Sequence, residues 1–156
     1  MDNAPDRLAG RPTWLLGQLA GRVRHLVTEG FAAAGARGYH YRLLAALAQF
    51  GPQSQAQLGA RCRVDPSDVV AAVGELADHG YATRTPDPAN RRRNRVAITE
   101  AGAAHLRLLD GVLDTAQDAF LAPLTPDERR QLTDLLTRLL AHHSPGSPGT
   151  APEPPR

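Results

Sequence analysis

The sequence predicts a mostly α-helical fold with one small β-hairpin, and three observations lead to this class. Apolar residues recur every three or four positions in several segments, which is the period of an amphipathic helix. Capping residues and Gly or Pro breaks separate these segments. Residues 81–98 instead show strand-like patterns on both sides of a turn rich in Pro, Asp and Asn. The chain is therefore expected to be helical except at this hairpin.

The composition fits one domain or a compact pair of subdomains, because the chain has 156 residues. Apolar residues make up 42% but aromatic residues only 4%, so the core is expected to be Leu, Ala and Val. No apolar run approaches the roughly 20 residues of a membrane span, and residues 1–10 lack the features of a signal peptide. A single cysteine, Cys62, excludes an internal disulfide. We therefore expect a cytoplasmic protein that does not enter membranes.

The positive charge is concentrated in one short segment. The formal net charge is only +2, and all 18 basic residues are arginine, as expected from a GC-rich genome. Five of them nevertheless fall within twelve residues. A local cluster in a nearly neutral chain predicts a site for anions. The clustered residues are Arg84, Arg91, Arg92, Arg93 and Arg95.

Four helices are predicted before the hairpin. The first covers residues 12–34 and ends at two glycines, and the second covers residues 39–50 before a Gly-Pro pair. Ser54 and Gln57 form a capping-box pattern that starts a short third helix, which runs to about Cys62. Asp65 is a predicted N-cap with proline at the first helical position, and its helix ends before Gly80.

The hairpin and two further helices complete the chain. Strands are predicted at residues 81–84 and 95–98, with a turn over residues 85–94. A long helix then runs from after Thr99 to about Phe120. The capping box that begins at Thr125 starts the last helix.

This order predicts a winged helix-turn-helix lobe over residues 36–99, because two helices joined by a brief turn precede a hairpin. Residues 1–35 and 100–143 supply leucine-rich helices that need more cover than the lobe provides. A second copy of the chain is the simplest cover, so these segments are predicted to dimerise. The Pro/Gly/Ser-rich tail, residues 144–156, is expected to be disordered.

The chain resembles the MarR family of bacterial transcriptional regulators over roughly residues 12–142. The family's wing pattern is Asp-Pro-x-Asp-Arg-Arg, followed by a valine strand and Leu-Thr-x-x-Gly. Similar runs stand here at residues 87–92 and 96–102. Residues 57–59, 65–67 and 76–84 resemble the start of the helix-turn-helix, the recognition helix and its exit.

The resemblance implies a homodimer that binds pseudo-palindromic double-stranded DNA and represses transcription until a small effector releases it. Recognition helices would enter successive major grooves, and wing arginines would reach minor grooves or phosphates. Arg92 matches the family's wing-tip arginine, Ser67 its DNA-facing serine and Arg84 its post-helix arginine. The full set of expected DNA contacts is Ser54, Gln55, Ser67, Asp68, Val70, Ala71, Arg84, Arg91, Arg92 and Arg93.

Two departures from the family pattern concern DNA reading. Asn90 stands where the wing aspartate usually fixes the tip arginine, so the charge-assisted pairing is lost. Between Pro66 and Leu76 there is no Arg, Asn or Gln, the residues that make bidentate contacts to bases. Val70 and Ala71 can still contact thymine methyl groups. Asp68 and Glu75 are expected on the reading face, where they would repel phosphates.

The remaining chemistry points to binding rather than to catalysis. No Ser/His/Asp order, phosphate loop or carboxylate pair predicts an enzyme, and no histidine spacing predicts a metal site or cofactor. Cys62 lies between two arginines that would favour a thiolate in an exposed position, although a small packed residue is the simpler interpretation. The family resemblance implies a pocket for a small aromatic or anionic effector, and four side chains near the first helix junction are candidates for it: Trp14, Tyr39, His40 and Tyr41.

Two functional hypotheses therefore remain open. The first is a homodimeric DNA-binding repressor. The second is a divergent winged-helix protein with weak or non-specific DNA binding, which acts through protein or ligand interactions. The acidic and small residues expected on the reading face, Asp68, Ala71 and Glu75, motivate the second hypothesis.

Overall fold

The computed structural model describes residues 5–87 and 90–144, without the side chains of residues 87–93. Within these residues the chain is mostly helical, with a small three-stranded antiparallel sheet, as the predicted fold class requires. None of the described helices is long and apolar enough to cross a membrane. The elements are α1 (Asp6–Ala9), α2 (Pro12–Ala33), α3 (Gly38–Phe50), β1 (Gln53–Ser54), α4 (Gln55–Cys62), α5 (Pro66–Asp78), β2 (Ala82–Asp87), β3 (Asn90–Ile98), α6 (Glu100–Phe120) and α7 (Pro126–His142).

Local capping chemistry sets the starts of three helices, as the sequence predicts. The Ser54 hydroxyl accepts from the backbone N–H of Gln57, and the Gln57 side chain accepts from the backbone N–H of Ser54. Thr125 and Glu128 form the same reciprocal pair before α7. The Asp65 carboxylate accepts from the backbone N–H of Ser67, the second residue of α5. Each cap satisfies donors that the first turn leaves without partners, which is worth about 1 kcal/mol.

The sheet is larger than the predicted hairpin. Its strand order is β1-β3-β2, and the two-residue strand β1 was not predicted. Most of the predicted turn at residues 85–94 is strand, because Thr85 pairs with Arg95 and Pro86 with Asn94 before the register shifts. Pro86 is compatible with a strand here because β2 is at the edge of the sheet and needs no further partner. Inter-strand pairing has therefore overridden turn propensity.

The chain divides into two compact units, and the first contains residues 1–117. Its core joins α2–α6 and the sheet through aliphatic side chains, in agreement with the low aromatic content. The largest fully buried side chains are Leu43, Leu44, Leu47, Leu58, Leu76, Leu109, Val69, Val73 and Val96.

A close approach between the hairpin and α6 explains the Thr-x-x-Gly run of the sequence. The Thr99 hydroxyl donates to the Gly80 carbonyl at 2.7 Å and accepts from the Gly102 backbone N–H at 2.9 Å. A Cβ atom at Gly102 would lie 2.0 Å from the Tyr81 carbonyl oxygen. Only glycine therefore lets the first turn of α6 pack this closely against the hairpin.

The second unit contains residues 118–156, of which α7 is the main described element. No residue of α7 is buried within the described structure. Arg129 donates to the Asp118 carboxylate at 2.8 Å and fixes the turn before α7. Four leucines on one stripe of α7 are at least 40% exposed: Leu135, Leu136, Leu139 and Leu140. The predicted division at residues 35, 99 and 143 concerns function and stays a prediction, and the tail from residue 145 onward lies outside the described residues.

Candidate nucleic-acid interface and ligand cavity

Helix α5 presents one buried and one exposed side. Val69, Ala72, Val73 and Leu76 pack into the core, which fixes the rotation of the helix. The opposite side carries the four recognition-helix residues predicted to contact DNA, and each of them is exposed: Ser67, Asp68, Val70 and Ala71. The structure therefore brings these residues together on one accessible surface, called here the reading face.

Polar groups near this surface are engaged in local hydrogen bonds. The Ser67 hydroxyl donates to Asp65 at 2.6 Å, and the Ser67 backbone N–H donates to the same carboxylate oxygen at 2.9 Å. These two hydrogen bonds hold the pKa of Asp65 below its ordinary value. The Ser54 hydroxyl is likewise within the capping box of α4. Neither hydroxyl can donate to a phosphate without giving up a capping contact.

A shallow apolar hollow of about 430 Å³ lies between α4 and α5 beside the reading face. Gln55 contributes a polar group to its rim, and Val70, which is 55% exposed, forms part of its wall. The remaining lining residues are Ala56, Gly59, Ala60, Val64 and Pro66. This surface favours contact with methyl groups over hydrogen bonding to base edges.

The clustered arginines do not all have the same role. Arg84 is exposed and extends over α5, where a Cβ atom at Gly74 would lie 3.2 Å from the Arg84 Nη2 atom. Arg95 donates to the Pro52 carbonyl at 3.0 Å and so ties β3 to the segment before α4. The side chains of Arg91, Arg92 and Arg93 lie outside the described residues, although their backbone belongs to β3.

The prediction for Glu75 is wrong. Its carboxylate turns away from the reading face and contacts the start of α3, at 2.8 Å from Nε2 of His40 in the first turn and 3.3 Å from Nη1 of the N-cap residue Arg37. Glu75 lies seven positions after Asp68 and therefore on the same side of the helix, but its side chain is held by the contacts with His40 and Arg37. Glu75 therefore does not repel phosphates from the reading face.

His40 was one of the four residues predicted for an effector pocket. In the structure it is buried and contacts Glu75. Its Nδ1 atom accepts from the Arg37 backbone N–H at 3.3 Å, which leaves the proton of a neutral ring on Nε2, facing Glu75. Burial lowers the pKa of His40 below its ordinary value, and Glu75 opposes that shift. A small cavity of about 180 Å³ is lined by His40 and Glu75, together with His79, Tyr81 and His105.

The larger cavity, of about 690 Å³, lies within the first unit between α2, α3 and α6. Of the four residues predicted for an effector pocket, Tyr39 and Tyr41 line this cavity, whereas Trp14 and His40 do not. Its lining also contains three arginines and no aspartate or glutamate: Arg24, Arg37 and Arg42. These arginines were not among the predicted pocket residues, although two of them flank the tyrosines in the run RGYHYR.

The cavity wall combines aromatic rings with positive charge. The Phe31 and Tyr41 rings stack with their centroids 5.5 Å apart, and the Tyr41 hydroxyl donates to Asp110 at 3.0 Å. The Arg37 Nη1 atom donates to the Tyr39 hydroxyl at 3.2 Å. Such a lining suits a small aromatic anion, since flat rings can stack on it while guanidinium groups hold the charge.

The other titratable groups form no metal site among the described residues. No group of three or more His, Cys, Asp or Glu residues there could hold a metal ion. The Cys62 thiol donates to the Arg42 carbonyl at 3.4 Å, and burial raises its pKa despite two nearby arginines. Cys62 is therefore a packed thiol in this structure, as the simpler interpretation of the sequence expected.

Comparisons with known proteins agree with this geometry. The family model described as MarR family matches residues 35–93. The transcriptional repressor NicR of Pseudomonas putida is 33% identical over 100 residues, which is 62% of this chain and 61% of NicR. The chain thus spans less than two thirds of the length of the curated relatives that it matches.

Two solved structures have folds similar to that of this chain. A "probable transcriptional regulator" from Pseudomonas aeruginosa is 30% identical, with a TM-score of 0.72, and the match covers 85% of this chain and 99% of that one. The PcaV transcriptional regulator of Streptomyces coelicolor, in complex with its natural ligand, is 27% identical with a TM-score of 0.68. That match covers 88% of this chain and 96% of PcaV.

Proposed function

The chain belongs to the MarR family of transcriptional regulators, and from this premise we propose that it is a homodimeric DNA-binding repressor released by a small-molecule effector. Members of this family are DNA-binding proteins and not enzymes, in agreement with the expectation from the sequence. The observation that carries the proposal is the exposed reading face of α5, placed beside a hairpin rich in arginine. NicR, the relative named above, is itself a transcriptional repressor.

DNA affinity in this proposal comes mainly from phosphate contacts. The reading face contains no Arg, Asn or Gln for bidentate base contacts. Arg84 and the wing residues Arg91, Arg92 and Arg93 supply positive charge next to it. Phosphate contacts give affinity and register, while Val70 and Ala71 give a preference for thymine methyl groups.

The exposed leucine stripe of α7 supports a homodimer. Four leucines with 40–63% exposure form an apolar surface that a soluble monomer rarely displays. Leu16 and Leu19 on α2 are also exposed, at 41% and 42%. Self-association through such stripes would cover them and would present two reading faces to one pseudo-palindromic duplex.

The effector part of the proposal is supported by the 690 Å³ cavity with its arginine and tyrosine lining. The volume falls within the usual range for small-molecule sites, and its charge selects anions. The PcaV structure has a natural ligand bound, which shows that a similar fold can accommodate one.

Salt-dependent DNA binding tests the proposal. We expect duplex DNA from the gene's own upstream region to be retarded in a mobility-shift assay. If a dimer neutralises about six phosphates, log K should fall with a slope near −5 against log salt. Absence of any salt-sensitive retardation would contradict the proposed DNA binding.

A divergent winged-helix protein that acts through protein or ligand contacts is the second candidate. Asp65 and Asp68 favour it, because both are exposed acids at the start of α5 and Asp68 lies on the reading face itself. Glu75 no longer supports it, since its carboxylate contacts Arg37 and His40. Genome-wide binding without an enriched motif would favour this candidate, whereas a sharp inverted repeat would exclude it.

A further inference from the structure

Gly74 leaves a gap on the reading face of α5. It comes three positions after Ala71 and seven after Ser67, so the three residues lie on the same side of the helix. A glycine inside a helix lowers the stability of that helix relative to alanine. The backbone does not require glycine here, because Gly74 is not among the glycines with positive φ. What fills the gap therefore decides the role of Gly74.

The Arg84 side chain fills this gap. A Cβ atom at Gly74 would lie 3.2 Å from the Arg84 Nη2 atom, which is closer than most Cβ contacts in proteins. Apart from the helix's own backbone and the two adjoining residues, no other atom of the described residues lies within 4 Å of that position. Arg84 belongs to β2, is exposed, and forms no ion pair with the described side chains. A guanidinium group therefore lies on the reading face, although α5 itself contains no arginine.

We propose that Gly74 is a positioning residue, which lets Arg84 lie across α5 and donate hydrogen bonds to a guanine in the major groove. Arginine donates to the O6 and N7 atoms of guanine in the commonest specific contact between proteins and DNA. Helix α5 provides no Arg, Asn or Gln of its own for such a contact. This inference rests on the proposed function. It goes further, because it assigns Arg84 to a base rather than to a phosphate and names guanine as that base.

The place of the guanidinium group favours a base contact over a phosphate contact. A recognition helix turns its exposed side toward the base edges, whereas phosphates lie along the borders of the groove. The Arg84 Nη2 atom lies beside Gly74, on that exposed side. A phosphate needs only a positive charge, whereas guanine needs the planar pair of donors that arginine has and lysine lacks. Arg84→Lys therefore separates the two kinds of contact.

The first test uses duplex DNA with an inverted repeat from the gene's own upstream region, in which each guanine is replaced in turn. 7-Deazaguanine removes the N7 acceptor, whereas hypoxanthine keeps N7 and O6 and lacks only the minor-groove amino group, so it is the matched control. We expect 7-deazaguanine at one position of each half-site to weaken wild-type binding about fivefold or more. Hypoxanthine at that position should not change the affinity. Arg84→Lys should bind the guanine and 7-deazaguanine duplexes equally, with the salt slope of wild type.

The second test asks whether Gly74 acts through Arg84. Gly74→Ala should raise the melting temperature by about 3 °C, because alanine favours the helix. It should nevertheless weaken binding to the same duplex about threefold, because the added Cβ atom displaces the Arg84 guanidinium. Gly111→Ala is the matched control: this exposed glycine of α6 has open space around it, so the substitution should raise the melting temperature without changing DNA affinity. In the Arg84→Ala background, Gly74→Ala should cause no further loss of affinity.

The outcomes separate this inference from the proposed function. If wild type binds DNA but no 7-deazaguanine replacement weakens it, or if Arg84→Lys still distinguishes the two bases, the guanine contact is wrong and the proposed function stands. If Gly74→Ala leaves the affinity unchanged, or lowers it equally with and without Arg84, then Gly74 does not position Arg84. A wild-type chain that retards no duplex would contradict the proposed function, and the guanine contact with it.

Discussion

The helix-turn-helix lobe buries its leucines, whereas helix α7 exposes them. In the lobe, Leu43, Leu44, Leu58 and Leu76 are at most 1% exposed. On α7, by contrast, no residue is buried, and Leu140 reaches 63% exposure. The same side chain thus completes a core in one region and forms an uncovered surface in the other.

This difference separates what one chain can do alone from what needs a partner. The lobe has its own core and can hold the reading face of α5 without assistance. Helix α7 has a complete capping box at its N-terminus, but its apolar stripe is exposed to solvent in the described part of the chain. Helices gain most of their stability from packing an apolar face, so α7 is expected to become stable only on association.

Truncating one leucine in each region tests this contrast. Leu76→Ala should lower the free energy of unfolding by about 2–5 kcal/mol, because it leaves a cavity in a closed core. Leu140→Ala should change the unfolding of the lobe by less than about 0.5 kcal/mol. Urea denaturation followed by circular dichroism measures both, and equal losses would show that the two regions do not differ.

Acidic substitutions on α7 should separate the protomers. Leu136→Asp combined with Leu139→Asp places charge in the proposed interface, so we expect a monomer in sedimentation velocity with an intact lobe. DNA affinity should drop about 100-fold, because a monomer loses half of its phosphate contacts. Arg130→Asp combined with Thr137→Asp, two exposed residues on the opposite side of α7, is the control and should leave the dimer intact.

The wing belongs to the lobe, and its charge should act on DNA affinity rather than on assembly. Arg92→Ala is expected to weaken binding to all duplex sequences and to lower the salt slope by about 2 per dimer, one phosphate for each protomer. The sedimentation of the free protein should not change. Unchanged affinity would remove Arg92 from the proposed contacts.

Stability of the lobe should also depend on pH. Burial lowers the pKa of His40 and His105 below their ordinary 6.5 in the folded chain. On acidification the unfolded chain then binds protons at a higher pH than the folded chain does. The free energy of unfolding is therefore constant above about pH 6.5 and falls as the pH drops toward the pKa values of the folded chain. Thermal unfolding between pH 8 and pH 5 should show this loss, and His105→Asn should reduce it. A melting temperature that rises on acidification would contradict both shifts.

Local features of the fold could be predicted from the sequence because short-range chemistry determines them. Each capping box satisfies backbone N–H groups at the start of its own helix, whatever the surrounding structure, as Ser54 with Gln57 and Thr125 with Glu128 do. Strand β1 could not be predicted, because it exists only through pairing of Gln53 with Val96, forty-three positions apart. Tertiary pairing, rather than local propensity, also lengthened the hairpin.

The candidate site shows the same limit. Exposure of Val70 and Ala71 follows from the apolar stripe of α5, which a helical period reveals. The same period places Glu75 seven positions after Asp68, on the same side of α5, so it could not indicate the contact that the Glu75 carboxylate makes. Its partner His40 could not be identified, since 35 positions and a folded core separate the two residues.

The mass of the DNA complex is the measurement that decides the account. Sedimentation equilibrium of the full chain with an excess of duplex carrying one inverted repeat from its own upstream region should give two chains of 16.7 kDa per duplex. The double variant Leu136→Asp, Leu139→Asp should give at most one weakly bound chain per duplex. A single wild-type chain bound tightly to that duplex would contradict the account, because α7 would then need no partner.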